Sequence, residues 1–355
     1  MSAVLVPAGG FRRIAVLRLS SLGDVVLTLP VVHALATAWP QADVHYWVKE
    51  EYADVLRFDP VIRHVRPLER DARRIEDLVS MSAELEDFDL ILDLHGNART
   101  RVLTFRQKAR VLRAPGYRLQ RERWVRARWS GPAPVPHATL RYAQALAPLG
   151  IEVTGSPRVL LEPQVEAWAR ARWGEFAGAR PRVALCPGAR HATKRWPEAK
   201  WVELDDALEQ AGIARLVLST PGERRELPRL AERIDGSPGA TWCCESLSRA
   251  AGLLGESAVA VTNDSGLMHL AAARGRPVVA IFGSTSPVLG FAPVGQGHAV
   301  ICRNLSCQPC TLHGRESCPL GHLRCLTSID AGEVVEHVLQ RLPGRDQDWT
   351  AGARG

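Results

Sequence analysis

Apolar runs alternate with amphipathic stretches along the whole chain. IAVLRL (14–19) is apolar apart from Arg18 and reads as a strand buried on both faces. A short polar loop follows, then a helical pattern from about Val25 to Trp39. DVHYWV (43–48) and FDLILDL (88–94) predict two more strands, the second after a helical stretch ending near Glu86. ARVLRAPG (109–116) predicts a short strand and turn, and GPAPVP (131–136) a proline-rich loop that suits neither helix nor central strand. The pattern loosens between Gly150 and Pro163, and the domain linker is placed in or just after this stretch.

The second half repeats the logic. RVALCPG (182–188), ARLVLSTPG (214–222), SAVAVTNDSG (257–266) and RPVVAIFG (276–283) each read as a strand running into a loop. WPEAKWVELDDALEQAG (196–212) and LMHLAAARG (267–275) read as helices stopped by glycine. Alternation of this kind predicts an α/β fold with parallel sheets. We expect two Rossmann-like domains facing a central cleft, at 1–165 and 166–328, with ligands at the carboxyl ends of the strands. A terminal segment, 329–355, is expected to carry a helix near Ala331 to Leu342 that packs back on the first domain.

Composition narrows the function classes. A chain of 355 residues with 46% hydrophobic and 23% charged residues can bury two ordinary cores. The net charge of +7 favours an anionic partner: nucleic acid, phosphosugar, nucleotide or acidic lipid. The most apolar early stretch, Ile14 to Ala36, is interrupted by Arg18, Asp24 and His33, so no run reaches the roughly 18 apolar residues of a membrane span. No signal-peptide cleavage site follows it, so a cytoplasmic location is expected. The eight cysteines are then expected as thiols or metal ligands, not disulfides.

Four loops concentrate polar chemistry. LSSLGD places Ser20, Ser21, Gly23 and Asp24 between the first strand and its helix, where hydroxyls and helix amides suit a phosphate or sugar. Asp24 has two readings, a helix-capping carboxylate or a general base, and position alone favours the cap. The loop lacks the GxGxxG dinucleotide pattern, which gives no support to a dehydrogenase. PGARHATKRWPEAKW sets Arg190, Lys194 and Arg195 at a helix start, an arrangement suited to a diphosphate; its plain alternative is a solvated basic loop. TNDSGLMHLAAARG ends an apolar strand in Asp264, Ser265 and Gly266, with His269 one turn further. The carboxylate suits sugar hydroxyls and the amides an anion, whereas His269 by itself reads as a packing histidine. STPGERRE adds Glu223 and Glu226, by default exposed helix-start carboxylates.

These stretches together resemble the ADP-heptose:lipopolysaccharide heptosyltransferase family of glycosyltransferase family 9, inverting enzymes of GT-B fold. The matching residues are RLSSLGDVVLTLPVVHAL (18–35), DLHGNARTR (93–101), KRWPEAKWVEL (194–204) and NDSGLMHLAAARGRPVVAIFGSTSP (263–287), in family order from about Ile14 to Pro287. The resemblance implies Asp24 as catalytic base, Lys194 on the donor diphosphate, and Asp264, Ser265, Gly266 and His269 at the donor sugar and phosphates. It places Glu223 or Glu226 near the nucleoside. It implies an ADP-heptose donor, a lipid A–Kdo or heptosyl-Kdo–lipid A acceptor bound by the first domain, contact with the inner face of the cytoplasmic membrane, and no metal for catalysis. Competing readings are a sugar-nucleotide epimerase or phosphorylase on the same fold, or a non-catalytic, metal-dependent binding protein.

Two regions lie outside that shared machinery. From Arg99 to Arg128 the chain carries ten arginines and Lys108 against Glu122 alone, with Trp124 and Trp129 interleaved. This is either a solvated basic face or a dock for an anionic, lipid-linked acceptor; no nucleic-acid-binding motif accompanies it. Near the C-terminus, Cys307, Cys310, Cys318 and Cys325 fall within nineteen positions, with His313 and His322 nearby. Four such thiols suit a structural zinc or an iron–sulfur cluster, and the alternatives are reduced structural thiols or a disulfide-stapled loop. Cys186, Cys243, Cys244 and Cys302 read as buried or partly buried thiols.

Overall fold

The computed structural model describes residues 6, 7, 9–68, 75–127 and 135–343. Arg128, Trp129 and most of the proline-rich loop lie outside the described residues. The chain forms two compact units, one comprising the residues up to Arg118 and Pro136–Leu161, the other Leu119–Val135 and everything from Glu162 onward.

The first unit contains β1 (Arg13–Leu17), α1 (Leu22–Ala38), β2 (Asp43–Lys49), α2 (Glu50–Ala53), β3 (His64–Leu68), α3 (Ile75–Glu84), β4 (Leu90–Asp93), α4 (Ala98–Leu103) and β5 (Arg110–Arg113). Helix α5 (Arg118–Ala127) begins at the boundary, and α6 (Ala138–Ala143) returns to this unit. The five strands form one parallel sheet in the order β3-β2-β1-β4-β5, with Leu17 opposite both Trp47 and Asp93. The predicted run IAVLRL becomes β1 because Ile14 to Leu17 are fully buried, as a central parallel strand requires.

The second unit runs through α7 (Pro163–Ala177), β6 (Arg182–Cys186), α8 (Glu198–Gln210), β7 (Ala214–Leu218), α9 (Pro221–Glu226), α10 (Pro228–Asp235) and β8 (Ala240–Cys243). It continues through α11 (Leu247–Gly255), β9 (Val259–Asn263), α12 (Gly266–Ala273), β10 (Val278–Phe282), β11 (Ala299–Cys302), α13 (Arg324–Thr327) and α14 (Ala331–Leu339). Its sheet is also wholly parallel, in the order β11-β10-β9-β6-β7-β8. Proline at the first turn starts α7, where a missing N–H costs nothing, and Ser246 caps α11 by accepting from the Arg249 amide.

The core of the second unit is built on Val183, Leu185, Val261, Ile281 and the edge-to-face pair Trp196–Trp201, whose centroids are 5.3 Å apart. Val334 and Val338 of α14 belong to the same core, and α14 packs on α8 and β10. This corrects the expectation that the terminal helix returns to the first unit. Its apolar face is taken up by the nearest open flank, beside the buried Trp196, whose Nε1 donates to the Ile329 carbonyl at 3.2 Å. Among the described residues no helix is long and apolar enough to cross a membrane.

A buried charge cluster stands at the base of the same unit. Arg215 is almost completely buried on β7, donating to Asp205 at 2.9 Å and Glu209 at 3.0 Å, with Ser237 closing the group. Removing the cation leaves the fully buried Asp205 with Arg233, at 3.4 Å, as its remaining cation. Arg215→Met should therefore lower unfolding stability by about 3–5 kcal/mol, read as a shifted denaturant midpoint.

Candidate functional site

In an open parallel sheet, the loops at the carboxyl ends of two neighbouring strands diverge where strand order reverses, and that divergence makes a ligand crevice. In the first sheet the reversal lies between β1 and β4, whose following loops carry Ser20–Asp24 and His95–Asn97. In the second it lies between β6 and β9, followed by residues 187–195 and 264–266. Two of the four loops singled out from the sequence thus flank the reversal of one sheet, a third flanks that of the other, and STPGERRE follows β7 at neither.

Asp24 sits in the first turn of α1 and is bound from several sides. Its Oδ2 lies 2.8 Å from Arg18 Nη2 and accepts the Ser21 hydroxyl at 2.8 Å and the Ser21 amide at 3.3 Å. Its Oδ1 accepts the Tyr142 hydroxyl at 2.5 Å. The capping reading therefore holds, and the carboxylate has a second set of partners that capping does not require. Burial alone would raise its pKa, but Arg18, Tyr142 and Ser21 outweigh that and hold the carboxyl well below the usual carboxylate range. Burial and then the neighbouring carboxylate push the Tyr142 phenol up, so it stays a donor. The Asp24 side chain keeps 15% exposure, so solvent reaches this anion. Ser20 is half-buried, Ser21 exposed, and Gly23 buried within the first helical turn.

Three residues of this group escaped the sequence reading. Arg18 interrupts an apolar strand, a signal that was visible but read only as an irregularity; its guanidinium also donates to the Leu94 carbonyl at 2.7 Å and lies 5.2 Å from the Tyr142 ring centroid. Tyr142 comes from a helix 118 positions away, and nothing local marks it. His95, inside DLHGNARTR, is pushed down to about 4 by burial, with Arg18 adding to the effect, and is a neutral imidazole near physiological pH. Its Nδ1 is buried without a hydrogen bond.

In the second unit, Lys194 Nζ lies 2.7 Å from Asp264 Oδ2, which also accepts the Thr285 hydroxyl at 2.5 Å. Asn263 fixes the two loops together, accepting from the Trp196 amide at 3.1 Å and donating to the Pro187 carbonyl at 2.6 Å. Gly283 permits this closeness, since a Cβ there would fall 2.5 Å from the Thr193 carbonyl. Ser265 precedes α12, and its hydroxyl is buried without a hydrogen bond, beside the Gly266 amide at the helix start. His269 is buried one turn on. Arg190 is exposed and makes no ion pair among the described residues, whereas Arg195 pairs with Glu226 and donates to the Ala189 carbonyl at 2.6 Å. Glu223 closes a capping box with Thr220 and lies against Gly188, where a Cβ would come within 2.1 Å of its Oε1.

The remaining sequence candidates divide. The basic arm is not a uniform solvated face: Arg113 binds Asp93 at 3.5 Å and the Thr104 hydroxyl at 2.6 Å, Arg121 lies 5.8 Å from the Phe291 ring, and Trp124 is buried. Arg101, Arg106, Lys108 and Arg110 are exposed beside two exposed apolar side chains, Val102 and Phe105. The four tail thiols are neighbours: burial first, and then Cys310, Cys307 and Cys318, push Cys325 up to about 12. No three of these sulfurs lie within 4.8 Å of one another, the spacing reached only by Asp43, His45 and His64 among the described residues. All eight cysteines are free, with Cys186 and Cys243 buried; Cys244 is exposed, which corrects its reading as a buried or partly buried thiol.

Replacing Asp24 by Asn strips Arg18, only 11% exposed, of its counter-ion. At neutral pH Asp24→Asn should cost about 3 kcal/mol of unfolding stability. A depressed carboxyl contributes stability above its unfolded pKa and loses it as pH falls, so the gap between variant and wild type should narrow once pH drops below about 4. Denaturant unfolding at pH 7 and pH 3 measures both.

The chain is similar to known proteins in sequence and in fold. Lipopolysaccharide heptosyltransferase 1 of Pseudomonas aeruginosa is 27% identical over 328 residues, spanning 84% of this chain and 86% of that protein. A glycosyltransferase family 9 structure from Veillonella parvula matches with a TM-score of 0.76 at 20% identity, over 93% of this chain and 96% of that one. Escherichia coli heptosyltransferase WaaC, solved with ADP-2-deoxy-2-fluoro heptose, matches at 0.65 and 22% identity, over 92% and 99%. At such identities the structures show a shared fold, the GT-B class. The model of glycosyltransferase family 9 (heptosyltransferase) matches residues 82–320, which include the Lys194 and Asp264 loops and leave the Asp24 loop outside. That match takes in well over half of the sequence, and the chain belongs to glycosyltransferase family 9.

Proposed function

We propose that this glycosyltransferase moves heptose from ADP-L-glycero-D-manno-heptose to the Kdo–heptose inner core of lipopolysaccharide, with inversion at the anomeric carbon. The observation that carries this reading is the pair of strand-end sites, an ionised carboxylate at the β1–β4 reversal and a lysine beside a helix start at the β6–β9 reversal, in a family 9 chain. The names of its relatives supply the sugar and the acceptor class. Of the competing readings, family membership leaves the transferase.

In this reading Asp24 is the base. Arg18 and Tyr142 keep it ionised, so no proton must leave it before the reaction. As the acceptor oxygen bonds to the anomeric carbon, its hydroxyl proton becomes acidic and passes to Asp24, while the bond from the anomeric carbon to the diphosphate oxygen breaks. Lys194, Arg190 and the amides at the start of α12, around Ser265 and Gly266, take up the charge on the departing ADP. Asp264 accepts from sugar hydroxyls, with Lys194 screening it from the diphosphate. Glu223 and Glu226 are proposed near the nucleoside, and the buried His269 as support beneath the sugar site. The exposed Val102 and Phe105 among four cations suit contact with an acidic bilayer carrying the lipid-linked acceptor.

Paired variants separate the two sites. Lys194→Ala should weaken ADP binding by about 2–3 kcal/mol, measured by calorimetry. Asp24→Asn should leave ADP affinity within twofold and lower kcat per folded molecule by about 10²–10⁴. Unchanged ADP affinity in the first, or unchanged turnover in the second, removes that residue from the mechanism.

We also propose that Cys307, Cys310, Cys318 and Cys325 hold a structural metal with no part in catalysis. Burial would raise the Cys318 thiol, but the backbone amides of Leu323, Leu320, His322 and Gly321 lower it below the ordinary value, the setting a metal-bound thiolate needs. The tail is tied to the donor-side loops, since the Cys310 amide donates to the Ser284 carbonyl at 3.0 Å. A bound ion would draw the sulfurs to ligand spacing. Elemental analysis of protein purified without chelator should find about one zinc per chain, or iron with sulfide. Metal-free protein of unchanged thermal stability would reject the site.

A further inference from the structure

A second basic cavity lies at the opposite end of the second sheet from Lys194. It has a volume of about 330 Å³, and Arg180, Arg182, Glu256, Arg276 and Arg341 are the charged groups that line it. Arg182 opens β6, Arg276 lies two residues before β10, and Glu256 follows α11, so the cavity sits where the strands begin.

Its charges do not balance. Among the described residues Glu256 is the one carboxylate that lines it, and it is shared between Arg182 at 3.5 Å and Arg170 at 3.4 Å. Arg341 spends its donors on the backbone carbonyls of Gly297, His337 and His298. Among the described residues Arg180 reaches only the Pro238 carbonyl, at 3.3 Å. Arg276 forms no ion pair among the described residues, and its Nε is buried without a hydrogen bond. Burial of this guanidinium disfavours its charged form. Glu256 and Glu166 offset that only in part; a half-buried cation without a close ion pair is costly, and an anion seated beside it lowers that cost. The volume falls at the low end of small-molecule sites and exceeds that of a single phosphate.

We propose that this cavity binds a phosphate-bearing ligand, a phosphate monoester or pyrophosphate on a small organic body, independently of the donor site. Guanidinium forks match phosphate oxygens in pairs, and Arg180 and Arg276, neither in an ion pair among the described residues, suit a group of more than one negative charge. The inference does not depend on the transfer reaction proposed above.

Calorimetric titration with inorganic pyrophosphate tests it. Wild-type protein should show a class of sites that Arg276→Gln weakens at least tenfold, with the ADP isotherm unchanged. Arg180→Gln, at an exposed position, should weaken the same class without risk to folding, and circular dichroism confirms that both variants are folded. Co-sedimentation with phosphatidate vesicles then distinguishes the source. Capture lost in Arg276→Gln assigns the phosphate to a lipid headgroup, and equal capture assigns it to a soluble ligand. Pyrophosphate isotherms identical to wild type in both folded variants overturn the proposal.

Discussion

Within each sheet every strand runs parallel to its neighbours, and this constraint decides where the molecule can do chemistry. A parallel strand covered on both faces has no room for polar side chains along its length, so they collect in the loops beyond its ends. Strand order then selects among those loops, because only at a reversal do neighbouring connections part. In the first unit that selection falls on the segment after β1, and in the second on the segments after β6 and β9. The exceptions to apolar interiors are purchased with partners: Arg18 near the end of β1 is matched by Asp24, and Arg215 inside β7 by Asp205.

Much of this was legible in the amino-acid order. A strand such as VVAIF announces itself because burial on both faces demands an unbroken apolar run. The loops were equally plain, since serine, glycine and aspartate between a strand and a helix have few other uses. What escaped was whatever depends on distant segments. Tyr142 reaches Asp24 from a helix far along the chain, and no local pattern encodes that approach. The terminal helix was assigned to the wrong partner for a related reason: its apolar face specifies that it must be buried, not against what. The glutamates Glu223 and Glu226 show the converse, since their residue type suggested ligands while the structure first engages them in a capping box and an ion pair.

The two strand-end sites differ in electrostatic character. Around Asp24 a carboxylate is held ionised by a cation and two hydroxyls, so the anion is the persistent species. Around Lys194 a cation and a carboxylate are 2.7 Å apart, each largely satisfied by the other. A ligand at the first site meets a fixed acceptor of hydrogen bonds. A ligand at the second must divide an existing pair, and a diphosphate can do so because it competes with Asp264 for the same ammonium.

The first unit is not one continuous stretch of chain. It is interrupted after Arg118 and resumes at Pro136, and the resumption brings Tyr142. During synthesis, therefore, the sheet of this unit has all its strands well before Asp24 has all its partners. The nascent chain carries the Arg18–Asp24 pair on a nearly finished scaffold while the phenol that completes it is still unmade. A fragment ending at Arg118 keeps the five strands and loses the hydroxyl, so the polar centre of this unit belongs to the later-made part of the chain as much as to the earlier.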